Sequence, residues 1–370
     1  MSSNNYNFVF AAGGTGGHLY PAIAVAEQLK VIKPESNILF VGTKKKIESR
    51  VIPQLGYKFK SIWLSGFSRK LTLKNLLFPI KLAVSLVQSF FINLKFKPSV
   101  AIGAGAYVSG PVAWIASFLG ARVLLLEQNS FPGVTNRMLE KKADSIHLSF
   151  EDSAKYFKDK SKLKISGNPV RTTLKLSDRN NAVKSFGLDV NKKVLLIIGG
   201  SLGARSINDA VSENIKIFTD KNIQVIWQTG EFYFDEYKHL TNNSIKVKPF
   251  ISEMEVAFSA CDLLVARAGA TTIAEVAYLG LPVIFVPSTN VAANHQYKNA
   301  KSLLDKKACL MIEDSRLPID FGFKVIEAIS DNARLTELKE NIKKFSKPNA
   351  AYEIALDVIR LAENSKIKSN

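Results

Sequence analysis

The sequence begins the same construction twice. Phe8-Val-Phe-Ala-Ala runs straight into Gly13-Gly-Thr-Gly-Gly, and half a chain later Leu195-Leu-Ile-Ile runs into Gly199-Gly-Ser-Leu-Gly. Each is an apolar run, then a glycine turn, then the opening of a helical pattern. An unbroken apolar run of this length suits a strand buried on both faces, which demands helices on both sides and a parallel sheet. The runs Phe8–Ala12, Ile38–Gly42, Val100–Gly103 and Val123–Leu126 read as such strands in the first half. Val194–Ile198, Gln224–Gln228, Leu263–Ala266 and Val283–Val286 read the same way in the second. Most are followed by roughly 10–20 residues of helix-compatible sequence, the mark of βαβ units. The expected fold class is therefore α/β, with two Rossmann-like domains in tandem, as a chain of 370 residues allows. The polar stretch Lys158–Gly167 suggests the boundary, giving domains of residues 1–165 and 166–347.

The glycine turns carry the first chemical reading. Gly13-Gly-Thr-Gly-Gly-His18, Gly103-Ala-Gly-Ala-Tyr-Val-Ser-Gly110 and Gly199-Gly-Ser-Leu-Gly203 each lie between a strand and a helix. Bare backbone and the positive end of a helix dipole suit an anion such as a phosphate. None of the three has the dinucleotide spacing G-x-G-x-x-G, and none ends in G-K-[ST], which argues against nicotinamide or flavin enzymes and Walker-type nucleotide sites. Three such turns suggest a phosphorylated ligand held without a metal, and no cofactor is expected. In the second half, Arg267-Ala-Gly-Ala-Thr-Thr-Ile-Ala-Glu275 opens another helix, with Glu275 about one turn in, where a carboxylate can accept both hydroxyls of a ribose. Downstream, Asn294-His-Gln-Tyr-Lys-Asn299 offers amides and aromatics suited to sugar hydroxyls.

Charge is distributed unevenly. The formal net charge is +18, from 50 Lys/Arg and 32 Asp/Glu. Between Arg50 and Leu126 there are ten Lys/Arg and no acidic residue. Such a balance calls for an acidic partner: nucleic acid, an anionic membrane or a phosphorylated substrate. No zinc-finger, RRM-like or basic-helix signature speaks for nucleic acid. Two cysteines, Cys261 and Cys309, fit a reducing compartment and make no disulfide framework. No secretory signal and no stretch of about 20 apolar residues is expected to span a membrane. The segment Leu76–Lys95 is instead amphipathic: Leu82, Ala83, Leu86, Val87, Phe90, Phe91 and Leu94 share one broad face, and Lys81, Ser85, Gln88, Ser89 and Lys95 the other. Part of the apolar face is expected to pack, with a patch near Leu73–Phe78 exposed and Arg69, Lys70, Lys74, Lys81, Lys95 and Lys97 around it.

Six motifs, in order and in both halves, then resemble one family. They are G-G-T-G-G-H at 13–18, Glu127-Gln-Asn129, Gly167-Asn-Pro-Val-Arg171, Gly199-Gly-Ser-Leu-Gly-Ala204, Arg267-x-Gly-Ala-x-Thr-x-x-Glu275 and Gln296-x-x-Asn299. The set resembles the MurG family, bacterial transferases that move N-acetylglucosamine from UDP-N-acetylglucosamine onto undecaprenyl-diphosphate-linked muramyl pentapeptide. The resemblance implies a GT-B fold, two Rossmann-like domains with parallel sheets facing across a cleft, and a last helix near Ala350–Ala362 that packs back on the first domain. It implies a donor site in which Phe250 and Ile251 flank uracil, Glu275 takes the ribose, and Ser201 with the helix start at Ala270, Thr271 and Thr272, continuing through Ile273 and Ala274, holds the diphosphate. Gln296 and Asn299 would contact the transferred sugar. Thr15, Gly16, Gly17, Asn129 and Arg171 complete the positions implied for UDP-N-acetylglucosamine. The acceptor would meet Gly13, Gly14, Gly103, Gly105, Tyr107 and Asn136, with the protein on the cytoplasmic face of the membrane. Three positions depart from the family pattern: Leu126 stands where His is usual, Ala106 where Gly is common, and His295 where a second Gln is frequent.

The implied reaction is an inverting transfer and needs a base near the attacking hydroxyl. His18 closes the first glycine loop and carries an imidazole, the side-chain type most often used for proton transfer at neutral pH, so it is the first candidate; Glu127 at a strand end is its rival. No D-x-D metal motif stands out. A related lipid-directed UDP-sugar transferase with a diacylglycerol-type acceptor remains an alternative at this stage, as does a UDP-sugar epimerase.

Overall fold

The computed structural model describes residues 6–66, 77–171, 174–200, 202–289 and 294–367. The chain divides into two compact units, one formed by Met1–Thr172 with Lys347–Asn370 and the other by Thr173–Ser346. Each is built on a parallel sheet.

The first unit has seven strands: β1 (Asn7–Ala11), β2 (Asn37–Gly42), β3 (Lys58–Ser61), β4 (Val100–Gly103), β5 (Arg122–Glu127), β6 (Ser145–Leu148) and β7 (Leu163–Ile165), in the order β3-β2-β1-β4-β5-β6-β7. β1 is central, pairing Phe8 with both Ile38 and Val100. The strand order reverses between β1 and β4. Crevices at such switch points, outside the carboxyl ends of the strands, are where open α/β sheets bind ligands. The loops after β1 and β4 are the two glycine turns 13–17 and 103–110.

The second unit repeats the plan with six strands: β8 (Lys193–Ile198), β9 (Ile223–Gln228), β10 (Ile245–Lys248), β11 (Leu263–Ala266), β12 (Val283–Phe285) and β13 (Leu310–Met311), ordered β10-β9-β8-β11-β12-β13. Its switch point lies between β8 and β11, next to the turns at Gly199 and Arg267.

All eight expected strands form, within a residue at their ends. Five more were not expected: β3, β6, β7, β10 and β13. They are short and lie toward the sheet edges; four of them alternate polar with apolar (Lys-Phe-Lys-Ser, Ser-Ile-His-Leu, Leu-Lys-Ile, Ile-Lys-Val-Lys) and β13 is only two residues, so none has the continuous apolar run of a two-sided strand.

The last helix, Ala350–Ile367, contributes Ile354, Val358 and Leu361 to the core that holds Phe8, Phe10 and Leu19. A buried polar clasp fixes it there. Asp357, 4% exposed, accepts from Ser145 Oγ (2.7 Å) and Arg360 Nε (2.8 Å), meets His147 Nε2 at 2.9 Å and pairs with Lys164 Nζ at 2.6 Å. Burial would push its carboxyl up, but the hydrogen bonds from His147, Lys164, Ser145 and Arg360 prevail and hold it well below the usual carboxylate range.

The amphipathic helix forms as Phe78–Phe96, and part of its apolar surface packs as expected, Phe78, Ile92 and Phe96 lying against the core while Leu77 is exposed; the difference is that a polar stripe faces inward. Ser85, Ser89 and Asn93, spaced four apart, are its buried residues. Ile80, Leu82, Val87, Phe91 and Leu94 point outward, Phe91 with 63% of its surface exposed. The small polar stripe packs against the helix Ser109–Phe118, where Asn93 Nδ2 donates to Ser89 O at 2.9 Å and Val112 O at 3.3 Å. The part of the expected patch at residues 73–76, together with Arg69, Lys70 and Lys74, lies outside the described residues.

Candidate active site

The switch point of the first unit gathers four loops. Gly13-Gly14-Thr15 leaves β1 and turns into the helix Gly16–Ile32, whose first turn carries no acidic residue and no side-chain cap. Such an N-terminus is prepared for an anion. Glu48, fully buried at the start of the helix Glu48–Gln54, is wedged under this turn. Its Oε2 accepts from Gly14 N at 3.0 Å, and its Oε1 accepts from Thr43 N at 2.9 Å and Thr43 Oγ1 at 2.8 Å. A Cβ on Gly13 would stand 2.4 Å from the Glu48 carboxyl carbon, so only glycine allows this approach. The Gly14 N–H is thus taken up within the fold. Tyr107 covers the loop, its ring 3.5 Å from a Cβ placed on Gly14. Burial pushes the Tyr107 hydroxyl up, against a hydrogen bond with Thr43 that lowers it, with the Glu48 charge raising it further.

His18 lies one turn on, half-buried, with Nδ1 sharing a 3.1 Å hydrogen bond with Thr15 Oγ1. Its opposite edge faces Gly105. That residue has φ +83°, and a Cβ there would sit 3.1 Å from His18 Cδ2, 3.5 Å from His18 Nε2 and 2.8 Å from Gln128 Oε1. Gly103, at the end of β4, has no such room either, since a Cβ would meet Leu125 at 2.9 Å. Glu127, 2% exposed, has both oxygens engaged: Oε1 by Asn129 N (2.9 Å), Oε2 by Gly133 N (3.0 Å) and Asn136 Nδ2 (2.8 Å). Burial raises its carboxyl above the usual range despite these bonds. Asn136 is fully buried and also donates to Leu126 O at 2.9 Å, so its amide nitrogen ties the loop to the strand. The half-buried Arg171 places its guanidinium 5.1 Å from the Tyr20 ring centroid of this unit. Glu27 of the same helix, raised by burial, is drawn back down by Arg171.

The second unit offers a matching end. The helix Ala270–Leu279 begins at Gly269 with no side-chain cap and no acid in its first turn, leaving Ala270, Thr271 and Thr272 at its positive pole. Ile273 is buried, so its side chain belongs to the core; Ala274 and Glu275 are half-buried on the flank. Arg267 does not face a ligand through its guanidinium: it bonds Asp314, Ser206 Oγ (2.8 Å) and Val286 O (3.2 Å). Gln228, 2% exposed, ties the second glycine turn to the expected contact Ile251, its Nε2 donating to Gly200 O at 3.2 Å and its Oε1 accepting from Ile251 N at 2.9 Å. Phe250 beside it is half-buried. Gln296 Oε1 accepts from Ser288 N at 2.8 Å, and Asn299 is fully buried with neither amide atom partnered among the described residues. Ser201 lies outside the described residues.

Comparison with known proteins decides the family. The Glycosyltransferase family 28 N-terminal domain matches residues 8–148 and the family 28 C-terminal domain matches residues 194–355. A UDP-N-acetylglucosamine–N-acetylmuramyl-(pentapeptide) pyrophosphoryl-undecaprenol N-acetylglucosamine transferase from Flavobacterium psychrophilum is 44% identical, over 98% of this chain and 99% of its own. The chain belongs to glycosyltransferase family 28. A family 28 relative with the same name from Christiangramia forsetii is 42% identical, over 96% of this chain and 98% of its own. The crystal structure of Acinetobacter baumannii MurG matches with TM-score 0.71 and 27% identity, over 96% of this chain and 99% of that one, in line with the expected GT-B class. Within the family 28 pattern, the three departures find places. Leu126 packs in the core with Phe8 and Phe10. Ala106 is not among the residues with positive φ. His295 is half-buried at the first position of the helix His295–Leu304.

Two residues that shape these loops, Glu48 and Gln228, were missed by sequence reasoning. Glu48 follows three lysines, Lys44–Lys46, and reads as a solvated charge. Gln228 ends an apolar strand and reads as its polar terminus. Only the fold, which joins Glu48 to Gly14 across 34 positions, exposes the role.

Proposed function

We propose that this chain transfers N-acetylglucosamine from UDP-N-acetylglucosamine to the C4 hydroxyl of undecaprenyl-diphosphate-linked N-acetylmuramyl pentapeptide, with inversion at the anomeric carbon, as a step of peptidoglycan synthesis. The names of its near-full-length relatives supply donor and acceptor. The observation that carries the reading is the imidazole edge of His18 aimed at the bare α-carbon of Gly105, at the switch point of the first sheet. His18 takes the hydroxyl proton, the freed oxygen bonds to the anomeric carbon, and the bond from that carbon to the diphosphate oxygen breaks, its electron pair leaving on UDP. Glu127 is the weaker base, because three hydrogen bonds already occupy its oxygens. In the second unit the helix start at Ala270–Thr272 and Ser201 take the diphosphate, Glu275 the ribose, Phe250 and Ile251 the base, and Gln296 and Asn299 the transferred sugar. Preorganised N–H dipoles there stabilise the leaving charge. The diacylglycerol-acceptor alternative loses ground, since no relative quoted above bears that name.

The same reading seats the chain on the cytoplasmic face of the bacterial membrane. No described helix is long and apolar enough to cross one. The outward stripe of the helix Phe78–Phe96, with the acid-free basic span around it, is suited to an anionic surface. Each Lys or Arg near it adds about 1 kcal/mol of attraction.

The test is direct: incubate the protein with labelled UDP-N-acetylglucosamine and a short-chain lipid-linked muramyl peptide. Disaccharide product is expected. No product, or epimerised UDP-sugar formed without acceptor, overturns the reading.

A further inference from the structure

Three glutamines are almost fully buried, and two of them are satisfied within the fold. Gln224 donates to Asp189 O and accepts from Asp189 N, each at 2.8 Å; Gln228 bridges Gly200 and Ile251. Gln128, 2% exposed, is different: neither Oε1 nor Nε2 has a hydrogen-bond partner among the described residues. Its neighbours in sequence are both engaged, Glu127 by three donors and Asn129 through its N–H. A buried amide left unpaired is a standing penalty, and native folds keep very few of them without a use.

Its position supplies the use. Gln128 leaves the carboxyl end of β5 and brings Oε1 to 2.8 Å from the Cβ position of Gly105, the same point that the His18 edge approaches at 3.1 Å. An imidazole and a carboxamide therefore converge on one bare α-carbon, from the ends of β1, β4 and β5. A carboxamide offers a donor and an acceptor side by side. A phosphate, which accepts only, would be repelled by Oε1. A sugar hydroxyl or acetamido group, which both donates and accepts, uses the whole amide.

We propose that Gln128 is a positioning residue for the acceptor sugar, its carboxamide hydrogen-bonding the polar groups that flank the attacking hydroxyl beside His18. This rests on the transfer reading above and extends it to a residue outside the expected contact set. It also makes a demand that a structural role would not: the amide is retained against stability.

Gln128→Met keeps the volume and removes both unpaired polar atoms; Gln128→Glu keeps the shape and changes the hydrogen bonding. Four measurements on each full-length variant test the idea: thermal unfolding, UDP binding by calorimetry, and kcat and KM for the lipid-linked acceptor. Gln128→Met is expected to have a Tm no lower than wild type and unchanged UDP affinity. Its kcat/KM for acceptor should fall about 10- to 100-fold, the loss of one or two ligand hydrogen bonds. Gln128→Glu should show a comparable loss in kcat/KM. If Gln128→Met loses Tm and activity together, or keeps kcat/KM within about twofold, the proposal is overturned. Wild-type protein that makes no disaccharide overturns the transfer reading itself, which the variants leave untouched.

Discussion

Glu48→Gln is the sharpest perturbation of the first glycine loop. The carboxylate is fully buried and makes three hydrogen bonds: Gly14 N to Oε2, and Thr43 N and Oγ1 to Oε1. Glutamine fills the same volume but has one acceptor. With its oxygen toward Thr43, the NH2 group faces the Gly14 N–H, donor against donor. With the amide flipped, the Thr43 hydroxyl can rotate to accept, but the Thr43 N–H is left facing a donor. Either rotamer orphans one buried backbone N–H, which costs about 1–3 kcal/mol. Taking about 2 kcal/mol, the loop should open about 30-fold more often. The assay is amide hydrogen exchange resolved to peptides. Segments containing Gly14 or Thr43 should exchange about 30-fold faster in the variant, while β8 in the second unit stays unchanged. Because His18 rides on this loop, kcat should fall by about tenfold or more from misplacement alone. Exchange equal to wild type at both segments would refute the claim that the carboxylate sets the loop.

Other outcomes follow from the same geometry. His18→Ala should retain UDP binding but lose about 10²–10⁴-fold in kcat at saturating substrates; near-full turnover would remove it as the base. Asp357→Asn breaks the buried clasp on the last helix and should cost about 3–5 kcal/mol near neutral pH, read from urea midpoints. Because the Asp357 carboxyl is held below its ordinary range, its stabilisation is present above that range and is lost as pH falls through the folded value. The gap between wild type and variant should therefore close toward acid pH and stay constant above about pH 5. Val87→Glu with Phe91→Glu should leave the unfolding midpoint within about 0.5 kcal/mol, both side chains being exposed, yet weaken binding to anionic vesicles. Binding insensitive to salt and to these changes would count against the membrane role.

What was legible in the sequence follows burial. β1, β4, β5, β8 and β11 are covered on both faces, so their apolar runs are continuous and could be read directly. β3 and β10 lie at sheet edges, and their alternating Lys residues hid them. In the site, His18 and Tyr107 could be read because glycine turns announce where backbone must approach a ligand. Glu48 and Gln128 could not. Glu48 is separated from Gly14 by 34 positions, and a buried carboxylate looks like any other acid until its donors are known. For Gln128 the informative property is a missing partner, which no local pattern encodes.

The helix Phe78–Phe96 shows a different limit. Periodicity yields an axis dividing apolar from polar residues, but not the sign of that axis relative to the core. Here the neighbour decides. The helix Ser109–Phe118 meets a stripe of Ser85, Ser89 and Asn93, small enough for close approach, in which Ser85 Oγ donates to Leu82 O and Asn93 Nδ2 to Ser89 O and Val112 O. Phe78, Ile92 and Phe96 of the helix also pack against the sheet-side core of Val9, Val41, Ala101 and Val112. Ile80, Leu82, Val87, Phe91 and Leu94 are left outside, at about 25 cal/mol for each Å² of apolar surface kept in water. Between Arg50 and Leu126 the chain also excludes every acidic side chain, the choice that most favours an anionic surface. Apolar stripe and one-signed charge lie on the same stretch of chain, which is what the proposed docking on an anionic bilayer requires.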